Sequence, residues 1–454
     1  MSDYMYMLES HLNPDQNRVV AEAQAAAAQA NVNLFLTGGA MRDIFGGFQV
    51  RDLDFTVEAP ALKLVRAIAE KSRARIVSQD ENRNSAELVF AGGVTAEIAM
   101  SRQERYPNIG GRPEVTPATI QEDLRRRDFS MNAIALSLHR ASRGLLLDPA
   151  NGLADIQRRE LRALSNYGFY DDPSRLLRLV RFRVRFGCTV DERTRMQYDN
   201  AREAGMASHI PPRILFEELR EIANDANPAA ILQALEQDGL IGIFSPALAA
   251  SKLSMASLAK LERAIRLLAD ANGMQFDRLG PFFWALTDNL TPREKAALVK
   301  SLEMRKPEVE LWQKLDSRAR KLETALRSAR IKKPSQVYQI LAEARGDEIV
   351  FLLCHSPHRT VQDRIRNHLQ KYLPLVQETG SPLIGQLASR PGTPKYEKEK
   401  RALIADLLDR RRKPVEVAPL EPAPPLPVRP EPGARGRPGP PARQAAPTIF
   451  PQQK

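Results

Sequence analysis

The stretch Leu34-Phe-Leu-Thr-Gly-Gly-Ala-Met-Arg-Asp43, followed closely by Arg51-Asp-Leu-Asp-Phe55, constrains this chain more than any other part of it. An apolar run ends in Gly38-Gly39, a short helical turn carrying Arg42 and Asp43 follows, and then a strand with aspartates at alternate positions. Strand residues two apart share a face, so Asp52, Asp54 and Thr56 project one way while Leu53, Phe55 and Val57 pack the other. Two carboxylates about 7 Å apart along one strand face repel each other unless a cation lies between them. Hard divalent ions such as Mg²⁺ take oxygen ligands of this kind. A glycine pair before a helix N-terminus offers backbone N–H groups to a phosphate. Phosphate cradle and metal carboxylates together point to nucleotidyl transfer from a nucleoside triphosphate. Each half also has a plainer reading: Gly-Gly after a strand is often only a turn, and Asp-x-Asp is often a solvated strand face. Their order, their closeness and the motifs downstream favour the chemical reading.

Downstream, Arg125-Arg-Arg-Asp-Phe-Ser-Met-Asn-Ala133 spaces Asp128 and Asn132 four apart, as neighbours on one helix face. Both can hydrogen-bond hydroxyls, which suits a ribose, and Arg126 and Arg127 can grip triphosphate oxygens as planar multi-donors. The plainer reading is a charged helix start with Asp128 at its N-terminus. In Asp171-Asp-Pro-Ser-Arg-Leu-Leu-Arg178, Asp172 can cap a helix that Pro173 opens. Asp171 and Asp172 also fall one turn before Arg175, and Arg178 one turn after it, so one face shows carboxylate, guanidinium, guanidinium. A carboxylate accepting from an exocyclic amine beside an Arg donating to a ring nitrogen fits cytosine and adenine. Uracil and guanine present the opposite order, and unpaired buried groups reject a ligand by roughly 10⁴-fold or more. A third carboxylate is expected near the attacking hydroxyl. Glu97, on a strand read at Val94–Met100 and opposite in phase to Ile98, fits that role or is simply an exposed strand-face residue.

The chain has 454 residues, 43% of them hydrophobic, so it can bury a core across several domains. A net charge of +12 favours anionic partners, chiefly nucleic acid. No apolar run approaches the roughly 18 residues that span a bilayer, and the N-terminus lacks a secretory pattern. Two distant cysteines, Cys188 and Cys354, exclude a disulfide framework and a cysteine zinc site, and suit a cytoplasmic setting. Residues 1–33 read as helix. Leu88-Val-Phe90, the turn Ala91-Gly-Gly93 and the strand after it read as a hairpin. Residues 101–118 carry Pro, Gly and charge without period and are expected to be a mobile loop. From Asp171 to Arg412 the pattern is helical, with no fixed repeat. Residues 414–454, about one-third proline, are expected to stay unfolded.

Taken together, these motifs resemble class II tRNA nucleotidyltransferases and the bacterial poly(A) polymerases related to them. Gly38-Gly-Ala-Met-Arg-Asp43 through Asp52-Leu-Asp54 resembles the family's first motif, and Arg126-Arg-Asp-Phe-Ser-Met-Asn-Ala133 its ribose motif. Asp148-Pro-Ala-Asn-Gly-Leu-Ala-Asp155 is similar to the third, Asp171-Asp-Pro-Ser-Arg175 to the base-reading fourth, and Arg213-Ile-Leu-Phe-Glu-Glu-Leu219 to the fifth. Ser381-Pro-Leu-Ile-Gly385 and Pro391-Gly-Thr-Pro394 loosely resemble the family's tail. Departures are Asp171, where the family usually has Glu, and Asn151, where it usually has Gly. No phosphohydrolase-type His-Asp pair is present, which leaves His355 and His358 as ordinary packing or surface residues.

The resemblance implies an α+β chain: a nucleotidyltransferase head with a small mixed β-sheet over 1–160, then an all-helical neck (161–235), body (236–325) and RNA-binding tail (326–413). It implies Mg²⁺ on Asp52 and Asp54, triphosphate on Gly38, Gly39 and Arg42, and ribose on Asp128 and Asn132. Asp172 and Arg175 would read the base with Arg178 in support. Residues 101–118 occupy the place of the family's flexible loop, with Arg105 and Arg112 as candidate contacts. Arg181-Phe-Arg-Val-Arg185 and Lys314 to Lys333 are candidate basic faces for RNA. The expected activity is addition of CCA to the tRNA 3′ end from CTP and ATP, with no membrane partner. A-only addition and polyadenylation come next, and a catalytically silent RNA binder is the alternative from another class.

Overall fold

The computed structural model describes residues 3–249, 252–272, 276–387 and 389–410. The proline-rich segment 414–454 lies outside the described residues. Two helices open the chain, α1 (Asp3–His11) and α2 (Pro14–Ala30). Asn13 starts α2 with a reciprocal cap: its side chain accepts from Gln16 N–H at 2.8 Å, and Gln16 Oε1 accepts from Asn13 N–H at 3.1 Å. Pro14 takes the first helical position, where a missing N–H costs nothing.

A seven-stranded mixed sheet follows. Its strands are β1 (Leu34–Thr37), β2 (Leu53–Val57), β3 (Arg75–Asp80), β4 (Ser85–Val89), β5 (Thr95–Met100), β8 (Ala135–Ser137) and β9 (Leu146–Leu147). They lie in the order β3-β4-β5-β2-β1-β8-β9. β2 and β5 are parallel, with Asp54 opposite Glu97, and the other pairs are antiparallel. Leu53, Phe55 and Val57 are buried to 1% exposure or less, as the alternation requires, and Ala96 and Ile98 join them. Helix α3 (Gly38–Gly46) joins β1 to β2, and α4 (Ala61–Ser72) lies across β4, β5 and α2. The apolar residues of α4, Ala61, Leu64, Val65 and Ile68, recur with helical period on its buried face. The expected β4–β5 hairpin is present, and its turn holds Gly92 and Gly93 at φ +85 and +79.

Residues 101–118 are not the irregular loop expected. They form a two-stranded antiparallel ribbon of β6 (Arg102–Arg105) and β7 (Glu114–Pro117), with a tip between them. The charges that obscured any period are used to hold the ribbon to the head. Glu104 takes Arg102 at 2.8 Å, Arg126 at 3.3 Å and the Tyr106 hydroxyl at 3.0 Å. At the tip, Gly110 at φ +66 lies so near the His209 carbonyl that a Cβ would come within 2.1 Å of its oxygen.

The remainder is helical apart from a short parallel pair of strands, Glu160–Leu161 with Thr189–Val190, so the neck expected to be all-helical carries one strand. The helices include α5 (Ile120–Arg125), α6 (Gly152–Arg158), α7 (Gly168–Asp171), α8 (Ser174–Phe186), α9 (Glu192–Glu203), α10 (Pro212–Asn224) and α11 (Pro228–Gln237). Further helices such as Met255–Asn272, Leu315–Arg327, Gly346–His355 and Pro394–Asp409 continue the pattern. Leu176, Leu177, Leu179 and Val180 bury one side of α8, which packs on α10 and α11. No helix among the described residues is long and apolar enough to cross a membrane. Cys188 and Cys354 are unpaired.

Candidate active site

The first motif folds as its spacing requires. Gly38 turns the chain from β1 into α3 at φ +62, a conformation disfavoured for residues with a Cβ. A Cβ there would also lie 2.7 Å from Arg127 Nη1, and one on Gly39 would lie 2.9 Å from Asp54 Oδ2. The glycines therefore let a guanidinium and a carboxylate approach the start of α3. Asp54 Oδ2 accepts from the Ala40 N–H at 3.3 Å, so the helix N-terminus faces an anion.

Asp54 and Glu97 are opposite one another on parallel strands, and Glu97 is in turn opposite Glu87 on β4. Neighbouring strands lie about 4.8 Å apart, so three carboxylates form a row across one sheet face. Asp52 opens a second row, where Thr95 Oγ1 donates to its Oδ1. Loss of water and the charges of Glu97 and Asp52 push the Asp54 carboxyl up to about 7, against the pull of Arg127 and Arg42. The Asp52 carboxyl is raised too, chiefly by loss of water. Among the described residues no three His, Cys, Asp or Glu side chains converge as they stand on a metal-sized point. The donor set itself is all carboxylate oxygen, which suits a hard divalent cation, and the mutual repulsion within it is what such a cation relieves.

Asp128 and Asn132 meet, but not on a helix face. Asp128 lies in the turn after α5, and Asn132 ends a single 3₁₀ turn, Ser130–Asn132. Asn132 Nδ2 donates to Asp128 Oδ1 at 2.9 Å. Asp128 Oδ2 takes Arg178 Nε and Nη2 at 2.8 and 2.6 Å. Burial alone would raise the Asp128 carboxyl, but Arg178 and Arg175 hold it well below the usual carboxylate range. Arg42 donates through Nη1 to Asn132 Oδ1 at 2.7 Å, which joins the first motif to the ribose motif.

The paired arginines diverge. Arg127 hangs over Gly38, bonded to Asp123 at 2.9 Å and to the Thr37 and Thr56 hydroxyls at 3.3 Å. Arg126 turns away to the ribbon, held by Asp123 at 2.6 Å and by the Arg102 carbonyl at 2.8 Å. Asp123, 1% exposed, organises both.

Asp171 does not share a helix with Arg175. It ends α7, Asp172 lies in the break that follows, and α8 begins at Ser174, so helical spacing holds only for Arg175 and Arg178. Asp172 Oδ1 accepts from Ser174 N–H at 3.1 Å, as a cap would. Its Oδ2 lies 3.6 Å from Arg175 Nε. Arg175 donates to the carbonyls of Arg126 and Arg127 at 3.1 and 3.4 Å, which docks α8 on the ribose motif. Arg105 and Arg112 are exposed on the ribbon.

The expected basic face Arg181–Arg185 is instead internal. Arg181 pairs with Glu218 at 3.1 Å, Arg183 with Asp238 at 3.3 Å and Arg185 with Asp43 at 3.2 Å. Acidic partners far away in sequence consume these charges. Three residues of the site carry no motif of their own: Glu87, Asp123 and, as a partner of Asp43, Arg185. The alternation of Ser85-Ala-Glu-Leu-Val89 holds a signal for Glu87, whereas the other two depend on pairings that only the fold brings about.

Residues 34–162 match the poly A polymerase head domain family. The chain is 33% identical over 261 residues to an A-adding tRNA nucleotidyltransferase of Halalkalibacterium halodurans, covering 56% of this chain and 61% of that one. It is 38% identical over 170 residues to a CC-adding tRNA nucleotidyltransferase of Deinococcus radiodurans, covering 37% and 45%. It thus spans less than two thirds of the curated relatives it matches. The fold is that of a solved CCA-adding enzyme in its apo form, with a TM-score of 0.54 at 22% identity over 91% of this chain and 96% of that one.

Proposed function

We propose that this chain, which belongs through its head to the family of class II tRNA nucleotidyltransferases and poly(A) polymerases, adds C, C and A to the 3′ end of tRNA without a nucleic-acid template. The observation that carries the reading is a single bonded path: glycine turn and carboxylates, then Arg42, then Asn132 and Asp128, then the helix bearing Arg175 and Arg178. Such a path would hold triphosphate, ribose and base contacts in one frame, in the order a nucleoside triphosphate requires.

Asp52 and Asp54, with Glu97 beside them, would hold Mg²⁺, which when bound supplies charge neutralisation at the reacting phosphate and lowers the pKa of the attacking hydroxyl. The N-terminus of α3 and Arg127 would receive the triphosphate, and Asp128 and Asn132 the ribose hydroxyls. Asp172 would accept from the exocyclic amine of cytosine or adenine and Arg175 would donate to the ring nitrogen. The RNA 3′-oxygen then bonds the α-phosphorus, the bond from that phosphorus to the β-phosphate oxygen breaks, and pyrophosphate leaves. Glu97, opposite Asp54, would take the hydroxyl proton. Residues 1–160 would form the head, 161–235 the neck, 236–325 the body and 326–413 the tail, and the enzyme would work in the cytoplasm.

A second reading, addition of the terminal A alone, draws on the name of the Halalkalibacterium relative. The long basic segment between the carboxylate strands and the ribose motif, with Arg105 and Arg112 exposed, favours full CCA addition over CC addition alone. A silent RNA binder has no use for a carboxylate row that costs stability. The deciding experiment gives the protein Mg²⁺, all four nucleotides and tRNA transcripts ending at the discriminator base, at C and at CC. A clean CCA end on all three supports the reading. Growth of the CC-ended transcript alone makes it an A-adding enzyme, long adenosine runs a poly(A) polymerase, and no growth a silent binder.

A further inference from the structure

Arg178, Phe182, Arg185 and Phe186 follow one another at helical spacing on α8, and all four meet the head or its bonded path. Phe182 and Phe186 form a tilted pair with centroids 5.6 Å apart. The Arg42 guanidinium lies over both rings, 5.2 and 4.5 Å from their centroids. Its Nε and Nη2 hold Asp43 Oδ1 at 2.9 and 2.7 Å, and its Nη1 holds Asn132. The other Asp43 oxygen takes Arg185 Nη2 at 3.2 Å. Arg185 Nε lies 3.8 Å from Asp225 Oδ2, an oxygen with no hydrogen bond of its own although Asp225 is 1% exposed. Arg185 thus sits between two buried carboxylates, one of which aims Arg42 at the ribose motif.

We propose that Arg185 is a positioning residue for sugar selection. By fixing Asp43 it fixes Arg42, and through Arg42 the Asn132–Asp128 pair that would meet the nucleotide's 2′-hydroxyl. The inference rests on the proposed role of this pair in taking the ribose. Arg185 acts through three intermediaries and touches no substrate. Its side chain is only 11% exposed, which also separates it from a phosphate-contacting arginine. Phe182 and Phe186 serve the same end by clamping the Arg42 plane.

The test compares Arg185→Gln and Phe186→Leu with the unaltered protein. Each is scored for incorporation of CTP against dCTP on tRNA lacking its CCA end, for equilibrium binding of both nucleotides with Mg²⁺, and for tRNA affinity at two salt concentrations. The expected result is a roughly tenfold fall in ribo-over-deoxyribo preference, the scale of one misaligned buried hydrogen bond, with tRNA affinity and its salt slope unchanged. A folded Arg185→Gln protein with an unaltered preference overturns the proposal. So does a drop in tRNA affinity with a shallower salt slope, which would make Arg185 a phosphate contact. Should Arg185→Gln fail to fold, Phe186→Leu decides on the same criterion. Should the unaltered protein bind CTP over dCTP yet add nothing to RNA, the functional reading falls, while the binding ratio still decides the role of Arg185.

Discussion

Asp54 has its carboxyl pushed up to about 7 by loss of water and by Glu97 and Asp52, so near neutral pH it is only partly ionised. In the proposed role Asp54 binds the cation in its ionised form, so activity is expected to rise with pH through about 7. Metal and proton compete, so raising Mg²⁺ should move that midpoint to lower pH; a midpoint indifferent to Mg²⁺ would separate Asp54 from the metal. Stability has the opposite sign. The folded carboxyl binds its proton more tightly than the unfolded one, so the destabilisation is absent below the ordinary aspartate value of 3.8 and complete above about 7. Asp54→Asn is therefore expected to abolish turnover yet melt above the unaltered protein at pH 8 without metal. The gap should close as pH falls towards 4. Asp52, Asp54 and Glu97 were legible because two-residue alternation is local. Glu87, opposite Glu97, lies just before the strand read from Leu88, so the expected hairpin stopped one residue short of it, and the Asp43–Arg185 contact needs α8 laid against α3.

Asn151 and Gly152 show how an element boundary can look like a defect in sequence and be sound in structure. Asn151 sits at φ 57 just before α6, a left-handed conformation that Asn tolerates. Asp148 does the capping, accepting from Gly152 and Leu153 N–H at 2.6 and 2.9 Å. Asn151→Gly, which restores the family's usual residue, should change stability by no more than about 0.5 kcal/mol and leave activity intact. Gly152 is the demanding position, because a Cβ would lie 2.1 Å from the Ser130 carbonyl oxygen. Gly152→Ala should push α6 off the Ser130–Asn132 turn, cost about 1–3 kcal/mol by overpacking, and lower kcat through the displaced Asn132. Thermal melts and single-turnover rates check both variants. The helices here were legible from caps and period. The ribbon was not, because Pro, Gly and self-paired charge hide a strand whose partner lies only a tip away; at the α7–α8 break the cap Asp172 and Pro173 were legible, and only the place of Asp171 on a separate helix was not.

For the molecule as a whole, the question is which charges remain for the proposed RNA partner. The arginines of α8 that looked available are spent: Arg181 on Glu218, Arg183 on Asp238 and Arg185 on Asp43. Arg213, at the start of α10, is likewise bonded to Glu308 at 2.7 Å. What stays outward gathers at the second expected face, where Lys314, Arg320, Lys321, Arg327, Arg330, Lys332 and Lys333 are exposed, and continues beyond it in Arg359, with its side chain 93% exposed, and Lys395 at 79%. Several of these lie near acidic neighbours, as Lys314 near Glu310, Arg320 near Asp316 and Arg359 near Asp363. The segment 411–454, by contrast, carries eight Lys or Arg against three Glu in its sequence. Net charge sets non-specific affinity for a phosphate backbone and its salt dependence, whatever the fold of the region carrying it. Removing 411–454 should therefore leave the melting temperature and the nucleotide preference unchanged and weaken tRNA binding several-fold at low salt. The slope of log affinity against log salt should flatten by roughly one for each phosphate that the shortened chain no longer neutralises. Binding isotherms of the full and shortened chains between 50 and 200 mM salt, on the order of the range where such charges show, make the test. Superimposable curves would place the RNA-facing charge on the folded helices alone, and a loss of turnover at saturating tRNA would give the segment a role beyond attraction.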